Sequence, residues 1–268
     1  MSFQKYNLQL SEFKNREIVF LGKENYAKYP FRGHQIINSE NMQELQKLLK
    51  IKDKKYNSYV TIATYDKVPR FAIDPKKHWP EFREWDNVRN ATITQIDFFM
   101  DFDGEPTIEG IKQAWKDVQT AYELLYEIIG EQTKYLTTWI SGNKGFHILG
   151  KCKVTPELTA MDLIQKQKEI AEQLAPLCQT IDLGIYDLKR LRKLLGSYVY
   201  SSNFGKTRVI PIADDKKFKE LLIALETKDT TWFEKQELVR LGGTNLELKT
   251  LGDDLKWNKQ KKQKRKCQ

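Results

Sequence analysis

Residues 93–103, ITQIDFFMDFD, carry the plainest pattern in the chain. Side chains of a strand alternate with period two. Ile96, Phe98, Met100 and Phe102 therefore fall on one face, and Asp97, Phe99, Asp101 and Asp103 on the other. The pattern then changes to a helical period. Thr107 is a candidate cap, and Ile108, Ile111, Trp115, Val118, Tyr122, Leu125 and Ile129 form a stripe that Gly130 ends, which predicts a helix over 107–129. Residues 134–140 and 146–150 read as two strands joined by Ser141-Gly142-Asn143-Lys144-Gly145. Thr155-Pro156-Glu157 is expected to open a helix that ends near Pro176, with proline at a favourable first position.

Weaker patterns flank this stretch. Residues 39–51 predict a short helix with Ser39 as cap, and residues 58–64 a strand. From Asp66 to Asn90, three prolines and two tryptophans suggest a long connection. Residues 198–200 and 208–212 read as a hairpin around Ser202-Asn203-Phe204-Gly205, and two helices are expected at 214–226 and 230–240. Mixed helix and strand over 268 residues suits one large domain or two modules.

Charge changes the picture only at one end. The formal charge is +9, but residues 255–268 hold seven Lys and Arg and no acid. Without them 38 basic residues face 36 acidic ones, so the body is near neutral. The tail, residues 251–268, reads as a solvated basic end able to hold phosphate backbone. Cys152, Cys178 and Cys267 are scattered, which excludes a CxxC-type zinc site and fits a reducing compartment. No apolar run approaches the ~20 residues that span a bilayer, and the first residues carry no apolar signal centre. A cytoplasmic protein without a membrane partner is the expectation.

Three segments carry candidate chemistry. Asp101 and Asp103 project from one strand face with Cβ atoms ~7 Å apart. A hard cation such as Mg²⁺ or Mn²⁺ would remove their mutual repulsion. Asp97 shares the face one repeat deeper and reads as structural. Ser141 to His147 offers two glycines for close backbone approach, a point charge on Lys144, a hydroxyl on Ser141 and the His147 ring, a set that suits a triphosphate. Asp182 stands in an apolar frame, followed by Asp187-Leu188-Lys189-Arg190-Leu191-Arg192-Lys193. It could complete a three-carboxylate site with Arg190 and Arg192 on phosphates, or the stretch could be one turn of a basic surface helix.

In this order, hydrophobic-Asp-x-Asp, Ser-Gly-x-x-Gly-x-His and hydrophobic-Asp with a downstream Arg-rich stretch ending in Gly196-Ser197 resemble the three motifs of archaeo-eukaryotic primases. Asp182-Leu183-Gly184-Ile185-Tyr186 is similar to the primase-polymerase branch. Leu195 departs from the proline that often precedes the Gly-Ser of that family. The resemblance implies an α/β (α+β) primase catalytic core, two modules with an RNA-recognition-like sheet flanking a cleft. The expected modules are residues 1–89, a catalytic module at 90–212 and C-terminal helices at 213–250. It implies that Asp101, Asp103 and Asp182 bind two Mg²⁺ or Mn²⁺ ions. It implies that Ser141, Gly142, Asn143, Lys144, Gly145, His147, Arg190 and Arg192 hold a nucleoside triphosphate. Single-stranded DNA template, primer and a helicase or other replication protein are the implied partners.

Two other readings compete. Phe98 to Gly104 also resembles the first motif of haloacid-dehalogenase-type phosphatases, with Asp101 as nucleophile, Asp103 as acid/base and Asp214-Asp215 as a late acidic motif. A replication accessory that binds nucleic acid without catalysis would tolerate loss of the acids. Gly205-Lys206-Thr207 imitates the end of a Walker motif, but Tyr200 stands where its first glycine belongs.

Overall fold

The computed structural model describes residues 16–22, 33–37, 56–66, 93–142, 144–188, 190–201, 203–236 and 246. Two antiparallel four-stranded sheets organise them. Strands β1 (Arg16–Gly22), β2 (Gly33–Ile37), β3 (Tyr56–Thr61) and β8 (Leu191–Lys193) form one sheet in the order β2-β1-β3-β8. Strands β4 (Ala63–Tyr65), β5 (Ile93–Asp103), β6 (Thr137–Ile140) and β7 (Gly145–Lys153) form the other in the order β4-β5-β7-β6. The hairpin β9 (Tyr198–Ser201) and β10 (Gly205–Arg208) stands apart. Helix α1 (Ile108–Ile129) packs on β5 and β7 and α2 (Ala160–Leu174) on β5, and α3 (Asp215–Glu226) and α4 (Thr230–Lys235) follow the hairpin.

The core sits on β5. Phe98, Phe99, Met100 and Phe102 are all buried, so both faces of the strand are covered along most of its length. Each such side chain contributes roughly 1.5–3 kcal/mol through removal from water. Phe102 pairs with Phe146 on β7, and Phe146 meets Trp115 of α1 at 5.3 Å between rings. Trp115 in turn stacks on Phe218 of α3 at 4.8 Å. Thr107 caps α1 by accepting from the Gly110 N–H, as its sequence position requires.

The two sheets meet at Asp97. Arg16 of β1 donates to it twice, at 2.7 and 2.6 Å, and Arg192 of β8 donates once, at 2.7 Å. All three side chains are fully buried. Burial alone would push the Asp97 carboxyl up; the two guanidinium groups outweigh it and hold it below the usual carboxylate range. Asp97 is therefore structural, as its depth on the strand suggested.

Several expectations shift in detail. The 58–64 strand breaks at Ile62, where the chain leaves one sheet for the other: β3 lies before it and β4 after it. The 134–140 strand begins only at Thr137, because 130–135 form a 3₁₀ turn. The strand after the glycine turn runs longer than 146–150, to Lys153. The next helix begins at Ala160 and not at Pro156, because Thr159 and Asp162 form a reciprocal capping box. The second hairpin strand ends at Arg208, where it was expected to begin. Residues 191–193 form strand β8, so the basic cluster is not a surface helix. The expected helix over 39–51, the connection to Asn90 and the tail lie outside the described residues. Among the described residues no helix is long and apolar enough to cross a membrane.

Replacing Asp97 with Ala would leave two guanidinium groups buried without a counter-charge, which costs about 3–5 kcal/mol. Urea unfolding at pH 7 should show that loss. The acid's pKa is lowered on folding, so in the wild type this contribution is complete above about pH 4. It is lost as the pH falls through the lower folded value. A variant with wild-type stability at neutral pH would show that the triad carries no weight.

Candidate active site

Strand β5 ends at Asp103 with both of its backbone edges in use. On one side β7 pairs along it, setting Asp101 opposite His147 and Asp103 opposite Gly145. On the other side β4 covers only the first residues. The Gln167 side chain of α2 then takes the next bonds, accepting from Phe99 N–H at 2.9 Å and donating to Asp97 C=O at 3.2 Å. Residues 180–182 complete the edge. Asp103 N–H donates to Thr180 C=O at 2.7 Å and Asp182 N–H to Asp101 C=O at 2.9 Å, around a bridge of Phe102 to Ile181. Residues opposed in this way share a face. Asp101 thus stands between His147 on one neighbour and Asp182 on the other.

The segment bearing Asp182 is held from behind. Asp117, buried on α1, accepts from Thr180 N–H at 2.7 Å and from the Thr180 hydroxyl at 2.8 Å. Asp182 fixes its own carboxylate by accepting from Gly184 N–H at 2.8 Å. Asp117 and Gln167 were not anticipated from sequence. Both interrupt the buried stripe of an amphipathic helix, Asp117 between Ala114 and Ala121 and Gln167 between Leu163 and Ile170. A polar residue there needs a partner, and that was the available signal.

The glycine turn lies beside the acids. Gly145 must be glycine, because a Cβ would come within 1.8 Å of the Phe102 carbonyl. Gly142 has φ of 86°, a left-handed conformation that glycine adopts without strain. Its carbonyl accepts from the Thr207 hydroxyl, which seats the turn on the β9–β10 hairpin. Lys144 meets Asp103 at 2.8 Å, and Arg190 reaches Asp182 at 3.5 Å. Both pairs are partly exposed. Ser141 is buried at the start of the turn. Asn143 lies outside the described residues.

Electrostatics single out Asp101. Burial raises its carboxyl well above the usual range, Asp103 and Asp182 raise it further, and Arg190 and Lys144 oppose them. His147 is 3 % exposed and packs edge-on against Phe99 at 5.1 Å. Burial, aided by Arg192, Lys193 and Arg190, pulls its pKa down to about 3. Its Nε2 lies 3.4 Å from Asp101 Oδ1, but the ring is neutral at pH 7, so the contact is not an ion pair. Burial and the two acids Asp101 and Asp182 push the nearby Tyr186 phenol up, so it remains a hydrogen-bond donor.

This set suits a hard divalent cation. Asp103 and Asp182 lie near enough to Asp101 to raise its carboxyl, and Asp101 Oδ1 is buried without a hydrogen-bond partner. Among the described residues no three acidic, histidine or cysteine side chains already close around one point. Asp103 and Asp182 are instead turned onto Lys144 and Arg190. Asp101, Asp103 and Asp182 could hold ions once those protein cations are released to other anions.

One expected site residue sits elsewhere. Arg192 is buried and committed to Asp97, so it does not face the acids as a phosphate contact. The phosphatase reading loses its late motif. Asp214 caps α3 by accepting from Lys217 N–H, and Asp215 accepts from the Trp115 and Gln119 side chains. The Walker-like run has structural partners as well. Lys206 lies over the Tyr198 ring and pairs with Glu234, and Thr207 is buried.

No protein-family model matches the chain, and no curated protein matches it. Among solved structures it is similar to the AEP domain of the Cyanophage S-2L primase-polymerase. That likeness has 12% identity and a TM-score of 0.40, over 82% of this chain and 98% of that one. The primase RepB' is similar at 10% identity and a TM-score of 0.39, over 84% of this chain and 64% of that one. The polymerase domain of Mycobacterium tuberculosis Ligase D, in complex with DNA, is similar at 14% identity and a TM-score of 0.44, over 83% of this chain and 79% of that one. At these scores the functional reading rests on the geometry of the site and not on the likeness.

Asp101→Asn removes one of three repelling acids. In chelator at pH 7.5 its thermal midpoint should exceed that of the wild type, by about 3 °C. The gap should narrow as the pH is lowered, because the raised Asp101 carboxyl takes up its proton in the folded wild type. Added Mn²⁺ should raise the midpoint of the wild type and leave the variant nearly unmoved. An equal Mn²⁺ response in both proteins would remove Asp101 from the metal site.

Proposed function

We propose that this chain is a nucleotidyltransferase of the primase-polymerase kind, extending or starting a strand on a single-stranded DNA template. The observation that carries the reading is the direct opposition of Asp182 to Asp101 across the β5 edge. Acids some eighty residues apart in sequence are thereby placed on one face, with Asp103 two residues along and the glycine turn at the strand end. The order of the three motifs supports the same reading. The phosphatase reading has its late acids engaged elsewhere and gives no role to Asp182 or the glycine turn, and the accessory reading gives none to the acids.

In this reading Asp101, Asp103 and Asp182 hold two Mg²⁺ or Mn²⁺ ions. Bound there, such ions lower the pKa of an attacking 3′-hydroxyl and offset charge on departing pyrophosphate. The remaining work belongs to the chain itself. Lys144 and Arg190 leave their carboxylates for the triphosphate, where fixed positive charge stabilises the transferring group. Ser141 and the turn's backbone approach the same phosphates. His147, neutral and packed edge-on against Phe99 beside Asp101, belongs to the same phosphate-holding set. Phosphodiester formation joins the 3′-oxygen to the α-phosphorus and releases pyrophosphate, so positioning and charge supply the rate and no covalent enzyme intermediate is needed. Template, primer and nucleoside triphosphates are the partners; a helicase or other replication protein and a cytoplasmic setting belong to the same proposal.

Asp101→Ala should abolish incorporation, by at least about a thousandfold, with a folded circular dichroism spectrum. The assay is labelled ribo- and deoxynucleotides on a single-stranded template, with and without a primer, in Mg²⁺ or Mn²⁺. Extension by the variant at the wild-type rate would end this assignment. Hydrolysis of a small phosphate ester by the wild type, without template-dependent extension, would point to the phosphatase chemistry instead.

A further inference from the structure

Three buried polar atoms at this site lack a hydrogen-bond partner: Asp101 Oδ1, His147 Nδ1 and the Tyr186 hydroxyl. The first two belong to residues already given roles. Tyr186 does not. It directly follows the 3₁₀ turn Leu183–Ile185, where Asp182 accepts from the Gly184 N–H. The turn that fixes Asp182 therefore also fixes the Tyr186 ring, which packs against the hydrophobic core. Tyr186 lies close enough to Asp101 and Asp182 to feel both charges.

Packing alone does not call for a tyrosine. A phenylalanine ring would fill the same space, and a buried hydroxyl without a partner destabilises a protein. The hydroxyl is thus the feature that needs an account. It is a donor near two carboxylates, and it bonds to neither. A bare anion would be repelled from this position. A ligand that brings acceptor oxygens together with its own cation would not be, and a metal-bound triphosphate is such a ligand.

We propose that Tyr186 is a specificity-determining residue whose hydroxyl donates a hydrogen bond to a phosphate oxygen of the triphosphate bound at Asp101 and Asp182. The inference rests on the polymerising reading given above and adds to it the part of the ligand that this residue recognises. The bond forms only when the ligand arrives, so the hydroxyl contributes to binding and not to folding.

Tyr186→Phe in the full chain tests it. Titration calorimetry in Mn²⁺ compares a non-hydrolysable nucleoside triphosphate with inorganic tripolyphosphate, and thermal unfolding in chelator follows the fold. The expected result is about tenfold weaker binding of both ligands, the loss of one hydrogen bond to a charged group. The expected thermal midpoint is unchanged or higher. Unchanged affinity for a triphosphate that the wild type binds would overturn this inference alone. Weakening confined to the nucleoside triphosphate would overturn it in favour of a sugar contact. A lowered midpoint would overturn it in favour of a structural hydroxyl. A wild type that binds neither ligand would overturn the polymerising reading together with it.

Discussion

Everything at the site depends on how the second edge of β5 is filled. A strand end with open N–H and C=O groups is costly when buried, and here no neighbouring strand reaches that far. β4 stops early, Gln167 supplies one residue's worth of hydrogen bonds, and a short piece of connecting chain supplies the rest. That connecting piece carries Asp182. The backbone's need for partners therefore brings the third acid to the other two. Repulsion among the three carboxylates opposes this arrangement, and backbone pairing with Asp117 behind it holds the segment in place.

The same strand also anchors the two sheets. Four residues before Asp101, Asp97 binds Arg16 and Arg192 in a buried triad. One face of β5 thus carries two kinds of carboxylate. Asp97 is satisfied by permanent guanidinium partners and held ionised. Asp101 has no such partner and is driven toward its proton. Two positions four residues apart on one strand receive opposite electrostatic environments, one suited to holding structure and one to receiving a cation. Lys144 and Arg190 stand between these cases as partly exposed counter-charges, which are weakly held and easily exchanged.

Sequence periodicity made β5 and α1 legible because each repeats over many residues. Thr107 and Gly130 then fixed the ends of α1. The glycine turn was legible from its composition, and Gly145 proves to be required by close approach to Phe102. What periodicity could not show was any pairing across long separation. Asp182 lies in a segment without strand character, so only a motif resemblance could associate it with Asp101. Arg192 was misread because a run of basic residues looks uniform in sequence, whereas strand β8 turns it inward to a buried acid. A buried Asp97 called for such an arginine, but nothing in one sequence says which. The opening of α2 was misplaced because proline at 156 outweighed the Thr159–Asp162 capping box. The latter satisfies two backbone N–H groups and decides the start.

Convergence of Asp101, Asp103 and Asp182 on divalent ions is most directly examined by anomalous X-ray scattering from crystals grown with Mn²⁺ and a non-hydrolysable nucleoside triphosphate. Two anomalous peaks roughly 3.5–4 Å apart, ringed by those three carboxylates and by phosphate oxygens, are expected. Lys144 and Arg190 should then have moved from the acids to the phosphates. Manganese located away from the end of β5, or a triphosphate bound with Asp103 still on Lys144 and Asp182 still on Arg190, would contradict the assignment.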